Sequence, residues 1–520
     1  MFKKNLLLIL VCIAISSTAQ HPVKNWYHLY SAKDTSLGID LIEALKKYPQ
    51  PATAQPIIVA VIDGGTDPLH EDLKDNMWEN TKEIPGNSVD DDLNGYVDDI
   101  NGWDFIGGSE SDVHFDNLEM TRLLRDYKNK FGEKTSKEIA KADREDFKKF
   151  KAIEKIHAKE LESASAILKQ IESYKKMTDA LTSETKNDKI TIDALRDFEP
   201  KKNESKIAKK AIIDTYDNAG TTPEAFLKDI KEAYNHYYEK VKYHLNLDFN
   251  PRNLVGDNYL NGNDKKYGNA EVKGPDALHG SHVAGIIAAT RNNNVGMDGI
   301  AFLAQIMVLR VVPNGDERDK DVANAIRYAV DNGAKVINMS FGKAYSFDKK
   351  LVDEAVKYAE SKDVLLIHAA GNDGKNTDKE SNFPTPRYED GTNCRTWIEV
   401  GASSMDQAPA NFSNYGKKTV NVFAPGVEIY STIQDNKYEW EQGTSMASPV
   451  VAGLAALIRS YYPALTAIQL KNIIEASVVQ PTKKVGKPGT KRKKAKYKKL
   501  CTSKGVINAT KALELAAGTK

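Results

Sequence analysis

Cysteine is scarce in this chain, with three in 520 residues (Cys12, Cys394 and Cys501) and no Cys-x-x-Cys pair. That excludes a disulfide-stapled fold and removes thiolate zinc sites and dithiol redox motifs. An excess of one charge is also lacking. Against 73 Lys and Arg stand 72 Asp and Glu, for a formal net charge of +1. No global field therefore draws the chain to nucleic acid or to an anionic membrane, and such a partner would need a local patch. Long apolar runs are missing too: the run Leu6–Ile15 is ten residues, against the ~20 needed to cross a bilayer.

What is present at the N-terminus has the order of a secretory signal. Lys3 and Lys4 precede that apolar run, and small residues Ser16 to Ala19 follow it, which places cleavage after Ala19 and implies export. Cys12 falls inside the removed segment, and Val11 before it is too bulky for a lipid-attachment site. Cys394 and Cys501 remain, either paired or as two free thiols.

Short apolar, β-branched runs recur along the chain: Ile57 to Ile62, Ile306 to Val312, Val336 to Met339, Val364 to Ala370, Ile398 to Ala402 and Val420 to Ala424. Amphipathic segments such as Asp321 to Asn332 and Lys349 to Ser361 lie between them. Strand, helix and strand in repetition predict an α/β fold, a doubly wound parallel sheet with helices on both faces. Such sheets place their chemistry at the carboxyl ends of the strands.

One stretch breaks the pattern. From about Asn117 to His244 Gly and Pro almost vanish, and 27 of the 60 residues from Thr121 to Ala180 are charged. Phe147, Phe150, Ile153, Leu161, Ala164, Leu168, Ile171 and Leu181 recur at three-to-four spacing. This predicts an α-helical insertion, a hairpin or small bundle with solvated charged faces; a coiled-coil partner site is the sharper reading. Near the end, ten of the seventeen residues from Lys483 to Lys499 are Lys or Arg, which reads as an exposed basic loop, with binding to an anionic surface as the alternative.

Three segments carry chemistry. Asp63 ends the first apolar run, where a buried carboxylate survives only by accepting strong hydrogen bonds. His279-Gly280-Ser281-His282 opens a helix of small apolar residues, and Gly443-Thr444-Ser445-Met446-Ala447-Ser448-Pro449 opens another, placing Ser445 at the positive end of a helix dipole. A serine needs an adjacent base to take its proton, an imidazole does so, and a carboxylate fixes the imidazole's tautomer. His282 reads as a packing residue, and His70, His114, His157 and His368 show no partner spacing. His279 and His282 lack the His-Glu-x-x-His spacing of a helical zinc site.

These three segments closely resemble the Asp, His and Ser motifs of the subtilisin-like serine proteases, and they follow that family's chain order, which is subtilisin's own. The resemblance covers roughly residues 55–106 and 250–478. It implies that Asp63 orients the base, His279 is the general acid and base, and Ser445 is the nucleophile. His368 to Gly374 is similar to the family's oxyanion segment, which makes Asn372 the side-chain donor to the tetrahedral intermediate. More loosely, Ser340-Phe341-Gly342 resembles the edge that pairs with extended substrate, Pro313-Asn314-Gly315 its opposite edge, and Ala370 and Gly371 the wall of an uncharged pocket for large P1 side chains. The family commonly has a sizeable inhibitory pro-domain. Here about forty residues precede Asp63 after the signal, too few for a free-standing inhibitor; either they form an arm packed on the catalytic domain or the insertion contributes to zymogen control.

Asp90, Asp92, Asn94 and Asp98 repeat positions 1, 3, 5 and 9 of an EF-hand-type loop, with Gly95 at position 6. Position 12 is Asn101 rather than Glu, so Asp99 is the expected substitute ligand for Ca2+, with an acidic turn as the alternative. The organisation expected is a signal peptide 1–19, an N-terminal arm 20–54, catalytic segments 55–110 and 249–480, the insertion 111–248, and a basic loop with a C-terminal helix over 481–520. Because the insertion leaves near Gly107 and returns near Asn250, it is expected to overhang the active-site rim and to filter substrates or recruit a partner. The function expected is a secreted serine endopeptidase acting on peptides or proteins. The alternative from another class is a catalytically idle binding protein on the same scaffold. An esterase of the Gly-x-Ser-x-Gly type is disfavoured, since Ala447 stands where that motif has its second glycine.

Overall fold

The structure is a computed structural model that describes residues 21–31, 36–187 and 189–519; the expected signal segment, with Cys12, lies outside the described residues. Seven strands form one parallel sheet: β1 (Ile57–Asp63), β2 (Gly102–Asp104), β3 (Ala304–Arg310), β4 (Val336–Met339), β5 (Leu365–Ala369), β6 (Trp397–Ser403) and β7 (Val422–Pro425). Their order is β2-β3-β1-β4-β5-β6-β7. The near-continuous apolar character of these strands follows from burial on both faces. Val59 and Val61 join one core with Val283, Ile286 and Val450, while the alternate residues Ala60 and Ile62 join another with Val322, Ile326 and Val356. The chain passes from one side of β1 to the other between β3 and β4, and at such a switch the carboxyl ends of neighbouring strands open a crevice.

The helices that matter, taken in chain order, begin with α1 (Leu41–Lys47), then α2 (Glu119–Phe131), α3 (Arg144–Thr185), α4 (Ile192–Asp197), α5 (Asn203–Ala219) and α6 (Pro223–Glu239). They continue as α7 (Leu278–Ala288), α8 (Asp319–Asp331), α9 (Lys349–Ser361), α10 (Thr444–Tyr461), α11 (Ala467–Ala476) and α12 (Ala509–Gly518). The arm before β1 is tied into the core on one face of the sheet: Trp26, Tyr27, Ile39, Leu41 and Ala44 are fully buried there, and the Trp26 indole donates to the Glu428 carbonyl at 2.7 Å.

Met120–Phe249 form one compact unit, and residues 22–119 with 250–520 form the other. Within the first, α3 runs for 42 residues and buries Phe147, Phe150, Ile153, Ala164, Ile171 and Leu181, whereas Leu161 and Leu168 are only half-buried. Leu181 meets Leu195, Ile212, Phe226 and Ile230 from α4, α5 and α6, so the charged positions are the solvated faces of a small bundle. The unit is closed at its neck. Thr121 Oγ1 donates to the His244 carbonyl at 2.8 Å, and Arg125 donates to the carbonyls of Leu247 and Phe249 at 2.8 and 2.6 Å.

Observed strand limits differ from the expected ones where local hydrogen bonds intervene. β3 stops at Arg310 because the Val311 and Val312 amides both turn to the Asp63 carbonyl, at 2.9 and 3.1 Å. β2 is too short to show periodicity. The hairpin β8 (Ile429–Ile433) and β9 (Lys437–Glu441) was not expected, although its turn at Asp435 and Asn436, both with positive φ, has the residue types that such turns favour. The basic segment is likewise a hairpin, β10 (Val485–Gly486) against β11 (Lys494–Ala495). Cys394 and Cys501 are both free and buried. Among the described residues no helix is long and apolar enough to cross a membrane.

Candidate active site

β1 delivers Asp63 to the crevice at the sheet's switch point. One carboxylate oxygen, Oδ1, accepts from the Gly64 amide at 2.7 Å and faces His279 Nδ1 at 2.7 Å. A carboxylate here only accepts, so Nδ1 carries the proton and Nε2 keeps its lone pair. Gly280 makes the approach possible, since a Cβ there would lie 2.0 Å from the Gly65 carbonyl oxygen; α7 can bring His279 to Asp63 only with glycine at that position. Asp63 is 3% exposed and the His279 side chain 43%, so the ring is embedded on its Nδ1 side and open on the other. Burial alone lowers the imidazole pKa, but the Asp63 charge and hydrogen bond, helped by Glu441 and Asp276, outweigh it and raise the pKa above its ordinary value. Three residues further along α7, His282 is fully buried, with Nε2 against the carbonyls of Ile429 and Glu439 at 3.1 and 3.2 Å. Burial pushes its pKa down to about 3, so it stays neutral and is a packing residue.

Ser445 occupies the second position of α10, after Gly443 and Thr444. Pro449 lies inside this helix and has no N–H to offer the carbonyl four residues before it, which is that of Ser445. That carbonyl accepts instead from Ser340 Oγ at 2.9 Å, while Ser445 Oγ donates to the Ser340 carbonyl, also at 2.9 Å. This reciprocal pair fastens Ser445 to the end of β4. Ser340 Oγ also meets Ser448 Oγ at 2.8 Å.

Asn372 stands on the turn that follows β5. Its Oδ1 accepts from the Thr444 amide at 2.9 Å and from Thr444 Oγ1 at 3.0 Å, which turns Nδ2 outward as a donor. A Cβ placed on Gly443 would lie 3.4 Å from Asn372 Nδ2 and 3.5 Å from the Ser445 amide, so the two donors flank one small space that glycine leaves open. Pre-aimed donors of this kind stabilise a developing oxyanion, and loss of one typically costs ~10²–10³ in kcat.

The cleft beside Asp63 and His279 has a volume of about 340 Å³, and Ser340, Phe341, Pro313 and Asn314 line it together with His114 and Arg310. Arg310 braces the Asp63 turn from below, donating from Nε to the Gly64 carbonyl at 2.9 Å and from Nη1 to Asp104 at 2.6 Å. Of the expected pocket residues, Ala370 is buried, with its amide bonded to the Val400 carbonyl at 3.0 Å. Gly371 donates its amide to Thr444 Oγ1 at 3.0 Å. Gly342 abuts Asn382, whose amide would be 2.6 Å from a Cβ at that glycine and also donates to the Ala369 carbonyl at 3.1 Å. No motif spacing in the sequence marks Asn382 or Arg310; Thr444 lies inside the Ser445 motif without a role of its own there, and His114 shows no partner spacing. His368, whose spacing marks no partner, lies buried with Nδ1 at 3.0 Å from both Glu399 oxygens.

In the acidic loop, Asp90 and Asp92 converge with Glu83, and one oxygen from each lies within 4.8 Å of the others. Asn94 directs its Oδ1 to the Tyr96 amide at 2.7 Å and its Nδ2 to Asp99 at 3.0 Å. Asp98 is turned to the Gly86, Asn87 and Ser88 amides at 2.8 to 3.3 Å. Asp99 is buried and accepts from Asn80, Asn94 and the Tyr328 hydroxyl; burial raises its pKa despite those donors.

A serine beside two donors, and an imidazole oriented by a buried carboxylate, on a doubly wound sheet are the parts that acyl transfer at a serine requires. A profile of the subtilase family matches residues 54–499, and the chain belongs to this family; it spans about half the length of the first curated relatives it matches. It is 45% identical over 183 residues to a thermophilic serine proteinase of Bacillus sp. (strain AK1), covering 35% of this chain and 42% of that protein. Against thermitase of Thermoactinomyces vulgaris it is 36% identical over 237 residues, covering 45% and 75%. A solved protease structure from Pseudoalteromonas arctica PAMC 21717 aligns over 96% of this chain and 100% of that one at 19% identity, with a TM-score of 0.49.

Proposed function

We propose that this chain hydrolyses peptide bonds of polypeptide substrates through an acyl-enzyme on Ser445. The observation that carries the reading is the 2.7 Å contact between Asp63 Oδ1 and His279 Nδ1, which leaves Nε2 as the base. In the reaction the Ser445 hydroxyl exchanges the Ser340 carbonyl for Nε2, which takes its proton as Oγ bonds the scissile carbon. Negative charge then develops on the carbonyl oxygen between Asn372 Nδ2 and the Ser445 amide. The imidazolium returns the proton to the leaving amine, and a water repeats the sequence to free the acid. The side chains that lie against Gly342 and Gly371 are the uncharged Asn382 and Asn414, and with Phe341 they favour large uncharged side chains before the cleaved bond. A fluorophosphonate probe is expected to label Ser445 in the wild-type protein and not in Ser445→Ala. Absence of labelling in wild type would instead establish the idle binding protein.

The same proposal includes a hard cation in the acidic loop. Three carboxylates whose oxygens lie within 4.8 Å of one another repel unless a cation sits among them, and an all-oxygen donor set suits Ca2+. Glu83, Asp90 and Asp92 would hold it, and it would neutralise and cross-link the loop without entering the chemistry. Excess EDTA is expected to lower the melting temperature and added Ca2+ to restore it; an unchanged melting curve would refute the site. Export belongs to this reading as well, and N-terminal sequencing of the mature protein recovered outside the cytoplasm is expected to begin near Gln20.

A further inference from the structure

The hairpin β10–β11 presents a hollow of about 680 Å³ in which seven of the lining residues are lysines, Lys484 and Lys487 on one arm and Lys493, Lys494, Lys496, Lys498 and Lys499 on the other. The lysines stand on a fixed base. Ala495, Tyr497 and Leu500 on the underside are buried with Val420 and Phe423, and the Tyr497 hydroxyl donates to the Gln407 carbonyl. None of the lining residues is acidic. Among the described residues none of these seven lysines forms an ion pair; the nearby pairs, from Asp373 and Glu380, go to Lys375 at 3.9 Å. Seven like charges around one concavity repel each other, and the arrangement becomes favourable when an anion occupies the centre.

The hairpin is also joined to the catalytic turn. The Gly489 amide at its tip donates to the Asn411 carbonyl at 2.8 Å, and a Cβ on Gly489 would lie 2.2 Å from the carbonyl oxygen of Gly374, two residues beyond Asn372. We propose that this hollow is an exosite for a carboxylate-rich stretch of the polypeptide substrate, a reading that rests on the peptidase assignment above. Lysines rather than arginines line it, which suits dispersed carboxylates better than phosphates, for which the guanidinium fork is the better match. Tyr415, with Lys487 Nζ at 5.1 Å from its ring centre, is the sole aromatic lining residue, too little for the stacking platform that single-stranded nucleic acid needs.

Two measurements test this. The first is fluorescence-anisotropy binding of a labelled octa-glutamate peptide and its octa-glutamine counterpart to Ser445→Ala protein, which reads the hollow without turnover. The glutamate peptide is expected to bind about tenfold more tightly at low salt and to lose the advantage near ~1 M salt, where the Debye length falls to ~3 Å. The triple variant Lys484→Gln, Lys493→Gln, Lys496→Gln is expected to lose roughly tenfold in that binding, each exposed ion pair being worth a few-fold at most, while the corresponding triple arginine variant retains it. The second is the ratio of kcat/KM for one cleavable peptide extended with glutamates or with glutamines, in which any global loss cancels; it is expected to exceed one in wild type and to approach one in the triple glutamine variant. Equal binding of the two peptides, or tighter binding of an oligothymidylate of equal charge, overturns the proposal. Selective binding with a turnover ratio of one overturns the exosite role. Absence of turnover of any peptide, with selective binding intact, overturns the peptidase assignment and leaves an acidic-peptide site.

Discussion

At the scale of single residues, the site depends on how Asp63 sets the proton of His279. The imidazole acts as a base only when Nε2 is free, and its pKa lies above the ordinary value because the Asp63 charge and hydrogen bond, with Glu441 and Asp276, outweigh the effect of burial. The acid limb of kcat/KM against pH is therefore expected above ~6.5, the usual histidine value. In Asp63→Asn the lowering by burial remains and the main raising partner is gone, so the limb is expected to move down. That variant should also lose about 10⁴ in kcat, as triad aspartate-to-asparagine changes do. A pH profile of both proteins checks this; a limb that stays in place would show that Asp63 does not set the titration.

At the scale of elements, two glycines of α7 separate catalytic geometry from packing. At Gly280 a Cβ would meet the Gly65 backbone carbonyl at 2.0 Å, whereas at Gly285 it would meet the hydroxyls of Thr432 and Ser431 at 2.2 and 2.4 Å. Both alanine variants are expected to lose about 1–3 kcal/mol of stability through overpacking, but a backbone carbonyl cannot swing aside. Gly280→Ala should therefore also depress kcat/KM by separating His279 from Asp63, while Gly285→Ala should show its effect in thermal melting. Equal activity in the two variants would contradict the close approach of α7 to the Asp63 turn.

The sheet strands and α7 to α10 were largely legible in the sequence, because strands buried on both faces read as short apolar runs and flanking helices as periodic ones. Asp63, His279, Asn372 and Ser445 were legible because each sits in a multi-residue motif. What escaped detection was held by distant contacts: Glu83 reaches Asp90 and Asp92 from outside the loop's spacing, and Asn382 lies beside Gly342 through the fold alone. Asp98 shows the converse, since its spacing marks a ligand while its side chain caps three backbone amides.

At the scale of the molecule, the near-neutral sum of charges resolves into an acidic loop, a mixed-charge helical unit and a lysine-lined hairpin. Asp63 and His279 are 216 positions apart, yet loop-closure entropy grows only slowly with length, and the helical unit has its own core. Replacing residues 120–249 by a short Gly/Ser linker is expected to preserve turnover of small peptides and to change preference among protein substrates, as read from kcat/KM on both. Loss of small-peptide turnover, or identical cleavage of proteins, would refute the separation of roles.

The hydrogen bonds at the neck of that unit, from Thr121 to His244 and from Arg125 to Leu247 and Phe249, matter under the peptidase reading proposed above, since a peptidase meets its own copies. A nick in the connection between α3 and α4 severs the covalent chain without releasing either piece, since the neck and the shared core around Leu181 and Ile212 still hold the two sides together. Self-cleavage there would show as two bands under denaturing conditions and as one intact particle in native solution.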